Sequence, residues 1–383
     1  MVRGIQGVLL KQATVGEPFT SFSPSPLPPS PSLDLTGDLQ RQLSHADQML
    51  GRLDGYSSIL PQPDILIGFY IRKEAVLSSQ IEGTQSTLAD LLLFEQAPDP
   101  ADYDAGEVFN YVGALEHGLR RLREGFPLSL RLIREMHGIL LRSGRGSAST
   151  PGEFRPSQNW IGGTRPGNAV FVPPPAADLM DSLGRLERFL HEDASELPVL
   201  VQCALLHLQF ETIHPFLDGN GRIGRLLITL LLVERGVLRQ PMLYMSLYLK
   251  QNRSRYYELL QKVRTEGNWE EWITFFLEGV RLTSERAVAL AVGILELFRA
   301  DETKVKTIAR RSGSALQVLH QLQRTPYTSP TRLASRTMLS FNTVVSALEL
   351  LGSLGIVREM KPRQGRLVSY GAYLDLLDEG TTG

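Results

Sequence analysis

The sequence predicts a mainly α fold with a short β-hairpin flap and, towards the C-terminus, a winged helix-turn-helix domain. Three observations carry that prediction. Apolar residues recur at helical spacing over most of the chain, one central stretch alternates turn formers with β-prone residues, and from about Asp301 short helical segments give way to two β-prone pieces around a basic turn. With 383 residues, 42% apolar and 21% charged, the chain is long enough for two or three compact units, and the mixture excludes a fibre or a wholly disordered chain. Forty basic and 41 acidic side chains leave a net charge of -1, so no field of the whole molecule draws it to nucleic acid or anionic lipid.

Taken in order, residues 21–32, SFSPSPLPPSPS, hold five prolines and no charge, so residues 1–33 are expected to be a flexible Pro-rich tail. Helical spacing begins with Leu35, Leu39, Leu43 and Met49 and resumes from Ile65 to Leu77, predicting an N-terminal helical region over 34–125. It continues through 108–122, 128–141, 179–190, 198–213, 223–233 and 256–263, which predicts a helical core over 126–280. Within that core, residues 151–175, PGEFRPSQNWIGGTRPGNAVFVPPP, read as a hairpin-like flap ending at the triple proline. Short helices at 315–322, 329–336 and 341–352, then IVREM, KPRQGR and LVSY, follow the order of a winged helix-turn-helix over 301–383. The single Cys203 sits among apolar neighbours, which fits a reducing compartment and a buried, inert thiol. The N-terminus lacks a leader pattern, and the longest apolar stretches, 226–233 and 287–295, are too short to cross a bilayer, so the expectation is a cytoplasmic protein with no membrane partner.

Residues 214–225, HPFLDGNGRIGR, concentrate the chemistry. Pro215 disfavours a helical His214, so the preceding helix should stop just before the histidine and leave it on a stiff loop. Asp218, Gly219, Asn220 and Gly221 form a turn that hands over to a strongly apolar helix, whose free amides and positive dipole end make an anion site. Arg222 and Arg225, three apart, lie on one face near that end, where guanidinium forks match phosphate oxygens. Asp218 suits magnesium only in company with substrate phosphates, and His214 is the group able to take a proton near neutral pH. The inventory points to phosphoryl or nucleotidyl transfer.

The same twelve residues resemble the signature of the Fic (Fido) family, HPFxDGNGRxxR, with all nine specified positions filled. The resemblance implies a Fic-type helical core and a protein adenylyltransferase that moves AMP from ATP to a Ser, Thr or Tyr hydroxyl of a target protein, releasing pyrophosphate. It implies that His214 is the base and that Asp218 holds Mg2+ on the phosphates. Gly219, Asn220, Gly221 and Arg222 would form the anion hole, Gly224 would join them in binding the nucleotide, and Arg225 would take the γ-phosphate. A family branch using other donors departs at the glycine matching Gly221, and this chain does not. Ser78-Ser79-Gln80-Ile81-Glu82-Gly83 resembles the family's inhibitory motif, [S/T]xxxE[G/N], so that Ser78, Glu82 and Gly83 would close Arg225 to ATP and make the enzyme self-inhibited. Tyr248 and Asn252 resemble its adenine-side positions, and the flap resembles the hairpin that aligns a target segment.

Other readings stand beside this one. The same site could remove AMP, with Glu82 orienting a water; the protein could be a DNA-binding transcription regulator with a secondary Fic core; or the core could be an inert binding module. His207, Glu211 and His214, spaced four and three apart, could form a metal triad on one helix. The expected partners are ATP, an unidentified target protein or the chain itself, a second copy in a homodimer, and DNA through the winged helix. The segment FNTVVSALELLGSLG, in the place of a recognition helix, has no lysine or arginine, and Lys361, Arg363 and Arg366 give the wing some charge.

Overall fold

The computed structural model describes residues 3–14, 17–59, 63–96, 98–99, 101–193, 196–308, 312–360 and 367–379. Helices dominate it, with two small antiparallel sheets. The chain opens with β1 (Gly7–Thr14) and β2 (Glu17–Pro24), paired with Leu9 opposite Phe22 and Lys11 opposite Thr20. This corrects the flexible tail expected over 1–33. Proline composition hid a strand whose Phe19, Ser21 and Phe22 are buried, and whose own prolines stand near its ends, where a missing N–H costs least. The hairpin is also tied down: Phe22 N donates to Val172 O at 2.9 Å, Gln209 Nε2 to Ser25 O at 2.8 Å, and Trp269 Nε1 to Gln6 Oε1 at 3.2 Å.

The N-terminal helical region contains α1 (Gly37–Ile59), α2 (Pro63–Ile81), α3 (Leu88–Gln96) and α4 (Tyr103–Arg123). The core adds α5 (Leu130–Leu140), α6 (Leu179–Arg188), α7 (Val199–Ile213), α8 (Asn220–Glu234), α9 (Ser246–Gln251) and α10 (Arg253–Glu266). Asp102 and Ser129 cap α4 and α5 by accepting from Ala105 N and Leu132 N, as short polar side chains do at helix starts. The apolar run 223–233 and the apolar 199–213 segment have no polar face to show to water, and both helices are buried along nearly their whole length. They pack on each other, with α4 and α5 against α8, and α2 lying against α4, α8 and α9. That arrangement brings the C-terminal end of α2 to the N-terminal end of α8. The expected flap is present as an antiparallel bridge between Ile161 and Phe171.

The long helix α11 (Trp269–Ile308) runs unbroken through positions 280 and 301, where separate units were expected to end and begin. Its later residues turn to new neighbours rather than into a linker: Tyr370 donates to the buried Asp301 Oδ2 at 2.7 Å. Beyond it come α12 (Ser312–Arg324), β3 (Tyr327–Thr328), α13 (Pro330–Thr337), α14 (Phe341–Ser353), β4 (Val357–Met360) and β5 (Leu367–Tyr370), in a sheet ordered β3-β5-β4. A last helix that the sequence did not suggest, α15 (Gly371–Asp378), packs back on α3 and α11. The expected wing residues Lys361, Arg363 and Arg366 lie outside the described residues. Among the described residues no helix is long and apolar enough to cross a membrane.

Candidate active site

His214 ends α7. It caps that helix in the left-handed region (φ 50°), with its N–H donating to Phe210 O, and Pro215 prevents the helix from continuing. A non-glycine residue is uncommon there, and the conformation persists because the neighbours enforce it. Arg155 Nε and Asn159 Nδ2 both donate to the His214 carbonyl, at 3.0 and 3.3 Å. Asn220 staples the loop: its Oδ1 accepts from Phe216 N and its Nδ2 donates to Phe216 O, both at 2.8 Å. Gly219 (φ 79°) then supplies the turn into α8, which starts at Asn220, three residues before the apolar run itself.

His137 of α5 braces the same loop. Its Nδ1 accepts from Gly152 N, so its Nε2 carries the proton and donates to Asp218 O at 3.0 Å, and its ring stacks on Phe216 at 3.7 Å. Burial pushes His137 down to about 4, which keeps it neutral at ordinary pH. Sequence spacing gave no sign of this histidine or of Arg155 and Asn159, since their partners are backbone groups far along the chain.

Arg222 and Arg225 are both buried, and each meets a carboxylate. Arg222 lies 3.5 Å from Glu107 Oε2 and 3.4 Å from Asp218 Oδ1. The buried Glu107, unremarked in the sequence, also accepts from Arg145 N and Nε, at 2.9 and 3.0 Å. Arg225 is closed by α2: its Nε donates to Ser78 Oγ at 2.7 Å, and its Nη2 donates to Ser78 O at 3.0 Å and to Glu82 Oε1 at 2.7 Å. Burial opposes charge on Glu82, but Arg225, with Arg222 and His214 beyond it, outweighs burial and holds the carboxyl below its usual range. Gly83 (φ 97°) follows the end of α2, as expected of a helix stop. Gly221 lies against this pair: a Cβ there would stand 2.2 Å from Glu82 Oε1 and 3.0 Å from Arg225 Nη1.

Two expectations are redirected. Gly224 faces α7 rather than the anion site; its carbonyl accepts from His207 Nδ1 at 2.9 Å, and a Cβ would meet Glu211 Oε1 at 2.4 Å. Tyr248 packs on Phe275 and donates to Glu278 Oε2 at 3.1 Å, while Asn252 Nδ2 donates to Tyr248 O, so these contacts serve α9 and α11 rather than the motif loop. Of the tyrosines that feel the charges of Glu82 and Arg225, Tyr257 is the exposed one. Both nitrogens of His207 are engaged, by Gly224 O and by the Tyr256 hydroxyl, so it has none left for a metal triad. Asp218 is half exposed, with Oδ1 accepting from Gly219 N. Among the described residues no group of three or more His, Cys, Asp or Glu gathers that could hold a metal alone. One carboxylate beside an anion site fits magnesium whose remaining oxygens come from a triphosphate.

Known proteins resemble this chain in sequence and in fold. Residues 40–120 match the Fic/DOC family N-terminal model, and residues 127–232 the Fic/DOC family model. A protein adenylyltransferase Fic from Drosophila ananassae is 32% identical over 203 residues, 52% of this chain and 38% of that protein. Its Drosophila virilis counterpart is 33% identical over 203 residues, 52% of this chain and 39% of that one. The chain therefore spans about two fifths of the length of these relatives. A Fic family protein from Desulfovibrio desulfuricans shares the fold with a TM-score of 0.57 and 19% identity, covering 89% of this chain and 98% of that one. A Fic domain containing signaling protein from Bacteroides thetaiotaomicron has a TM-score of 0.50 and 20% identity, over 66% of this chain and 95% of its own.

Proposed function

The chain belongs to the Fic/DOC family, and from that premise we propose that it is a protein adenylyltransferase, transferring AMP from ATP to a hydroxyl of a target protein and held inactive by Glu82. His214 takes the proton of the incoming Ser, Thr or Tyr hydroxyl at its Nε2. The oxygen attacks the α-phosphorus, and the bond to the bridging oxygen breaks, so that pyrophosphate leaves with the electron pair. The first turn of α8 receives the phosphates on its amides, and Arg225, once free, meets the γ-phosphate. Magnesium on the phosphates, beside Asp218, would neutralise charge as the leaving group departs.

The contact between Glu82 and Arg225 carries this reading. An arginine only 1% exposed, two of its nitrogens held by Ser78 and Glu82, is closed to a triphosphate until α2 yields. The relatives named as adenylyltransferases support the choice of reaction. The test is incubation with ATP labelled on the α-phosphate. Glu82→Gly should place label on protein where the parent chain places little, and adding His214→Ala should lower it by about a hundredfold or more, the size of a lost general base. Label arriving from the γ-phosphate instead would replace this proposal with kinase chemistry.

The C-terminal helices and three-stranded sheet, in the order of a winged helix-turn-helix, we propose as a docking module carried on α11.

A further inference from the structure

Beside the motif stands a buried carboxylate that the mechanism above does not use. Glu211 lies three residues before His214 at the end of α7, its Oε2 4.0 Å from His214 Nδ1. His214 Nδ1 and Glu211 Oε1 are both buried without a hydrogen-bond partner. Leaving one polar group so placed is costly, and the nearer oxygen of that carboxylate, Oε2, stands only about one ångström beyond hydrogen-bond reach of the unpartnered Nδ1. The histidine backbone is fixed at both its N–H and its carbonyl, so the gap closes by side-chain rotation. Room for the carboxylate is built into the facing helix, because any side chain at Gly224 would fall on Glu211 Oε1. Catalytic hydrogen bonds are often long in a free enzyme and tighten when substrate binds.

Resting on the adenylyl-transfer reading, we propose that Glu211 is the positioning residue for His214: its carboxylate accepts the Nδ1–H, which leaves Nε2 as the unprotonated nitrogen facing the target hydroxyl. When Nε2 takes the hydroxyl proton, the ring becomes an imidazolium and the Glu211 carboxylate balances its charge; the new oxygen–phosphorus bond forms as pyrophosphate leaves. The groups that act on the ring are Arg264 on α10, the Glu211 backbone carbonyl, Arg155 in the first part of the flap and Glu82 on α2, together with the Glu211 carboxylate at 4.0 Å. Burial first, then Arg264, pushes His214 down to about 4, whereas burial pushes Glu211 up to about 7. The consequence is an inverted assignment. Below neutrality a protonated Glu211 donates to Nδ1, forces the proton onto Nε2 and removes the base, so the acid limb of the rate belongs to the glutamate.

The backbone carbonyl of Glu211 is the competing acceptor; it already receives Arg264 Nη2 at 3.2 Å, and it survives any side-chain substitution. The full chain with nitrogen-15-labelled histidine separates the two, His214 being assigned by its loss in His214→Ala. At about pH 8 the parent chain should show His214 protonated at Nδ1, and Glu211→Ala should shift the proton to Nε2. An unchanged tautomer in Glu211→Ala, or Nε2–H in the parent, overturns the proposal. The isosteric Glu211→Gln, in a Glu82→Gly background, guards against misfolding. Its kcat should fall about tenfold or more with KM for ATP unchanged, and the rising limb near or just below pH 7 should vanish. A limb that stays in place with Gln overturns the assignment to Glu211. The tautomer is read without turnover, so an absence of AMP transfer in every variant would refute the adenylyl-transfer reading while the spectra still judged the dyad.

Discussion

At the scale of single residues, Gly221 and Glu82 exclude each other's alternatives. Alanine is favoured over glycine by about 1 kcal/mol inside a helix, yet a Cβ at position 221 would push Glu82 Oε1 from Arg225. A charge-assisted hydrogen bond is worth about 1.5 kcal/mol at the low end, the end suited to a carboxylate a third exposed. Gly221→Ala should therefore lower Tm slightly in the parent chain and raise it in Glu82→Gly, a reversal of about 2 °C on melting the four proteins of the cycle. Equal shifts in both backgrounds would break the link between these two positions. His207 gives a second expectation, from its neutral ring held between Gly224 O and Tyr256. Burial lowers it to about 4 in the fold, whereas the unfolded chain binds the proton near its ordinary value of 6.5. The folded state thus excludes a proton that the unfolded state accepts: the contribution is complete above about pH 6.5 and is lost as pH falls towards 4. His207→Gln should be less sensitive to acid than the parent, by at most about 2 kcal/mol between pH 7 and pH 5, read from paired melts.

At the scale of elements, the loop 214–219 is held by Arg155, Asn159, His137 and Asn220, and among these Asn220 alone accepts from the Phe216 N–H, which makes its share of the loop's rigidity testable. Asn220 serves both the N–H and the carbonyl of Phe216. Asn220→Ala leaves that buried N–H without an acceptor, a loss of about 1–3 kcal/mol, while Asn220→Asp keeps the acceptor and forfeits only the donor. Hydrogen exchange at the Phe216 amide should be much faster in the alanine variant and close to parental in the aspartate one; similar protection in all three would assign the order of the loop to Pro215 and the His137 stack instead. The same loop marks how far the sequence could be read. Helix spacing located α4 to α8 because their burial is one-sided or total, and the local grammar of Pro215 and Gly219 placed the breaks around His214. The start of α8 was set three residues late because Asn220 read as a turn residue, while its side chain works backwards on the loop. The contact of Glu82 with Arg225, 143 residues apart, was accessible through family resemblance alone. Glu107 and His137 were not legible as site residues, since a buried charged or imidazole side chain is explained by what packs on it, and Glu211 was read beside His214 only as a member of a possible metal triad. The β1–β2 hairpin was hidden by proline count, and α11 by a change of neighbours that looked like a change of element.

At the scale of the whole molecule, α2 joins the two ends of the chain. Its buried Lys73 donates to Leu377 O and Glu379 O at the end of α15, at 3.1 and 2.6 Å, and Phe69 meets Tyr373 edge-on at 5.4 Å, two turns before Ser78 and Glu82 close Arg225. The C-terminal unit is therefore braced on α2, and what it binds bears on how that helix is held. A groove-entering helix earns its affinity for DNA through phosphate contacts, but α14 has no lysine or arginine, and Phe341 at its start and Met338, which ends α13, are exposed, Met338 by 92%. If the wing alone supplies charge, Lys361, Arg363 and Arg366 neutralise at most three phosphates, which limits the slope of log K against log salt to about 3 in magnitude. Anisotropy of a labelled random duplex, titrated with the full chain from about 50 to 200 mM salt, should show weak binding with a slope no steeper than that. A slope near 6 or more would require a basic surface elsewhere on the C-terminal unit and would make DNA, in place of a protein surface met by Met338 and Phe341, the ligand whose arrival pulls on α15 and, through Lys73, on α2.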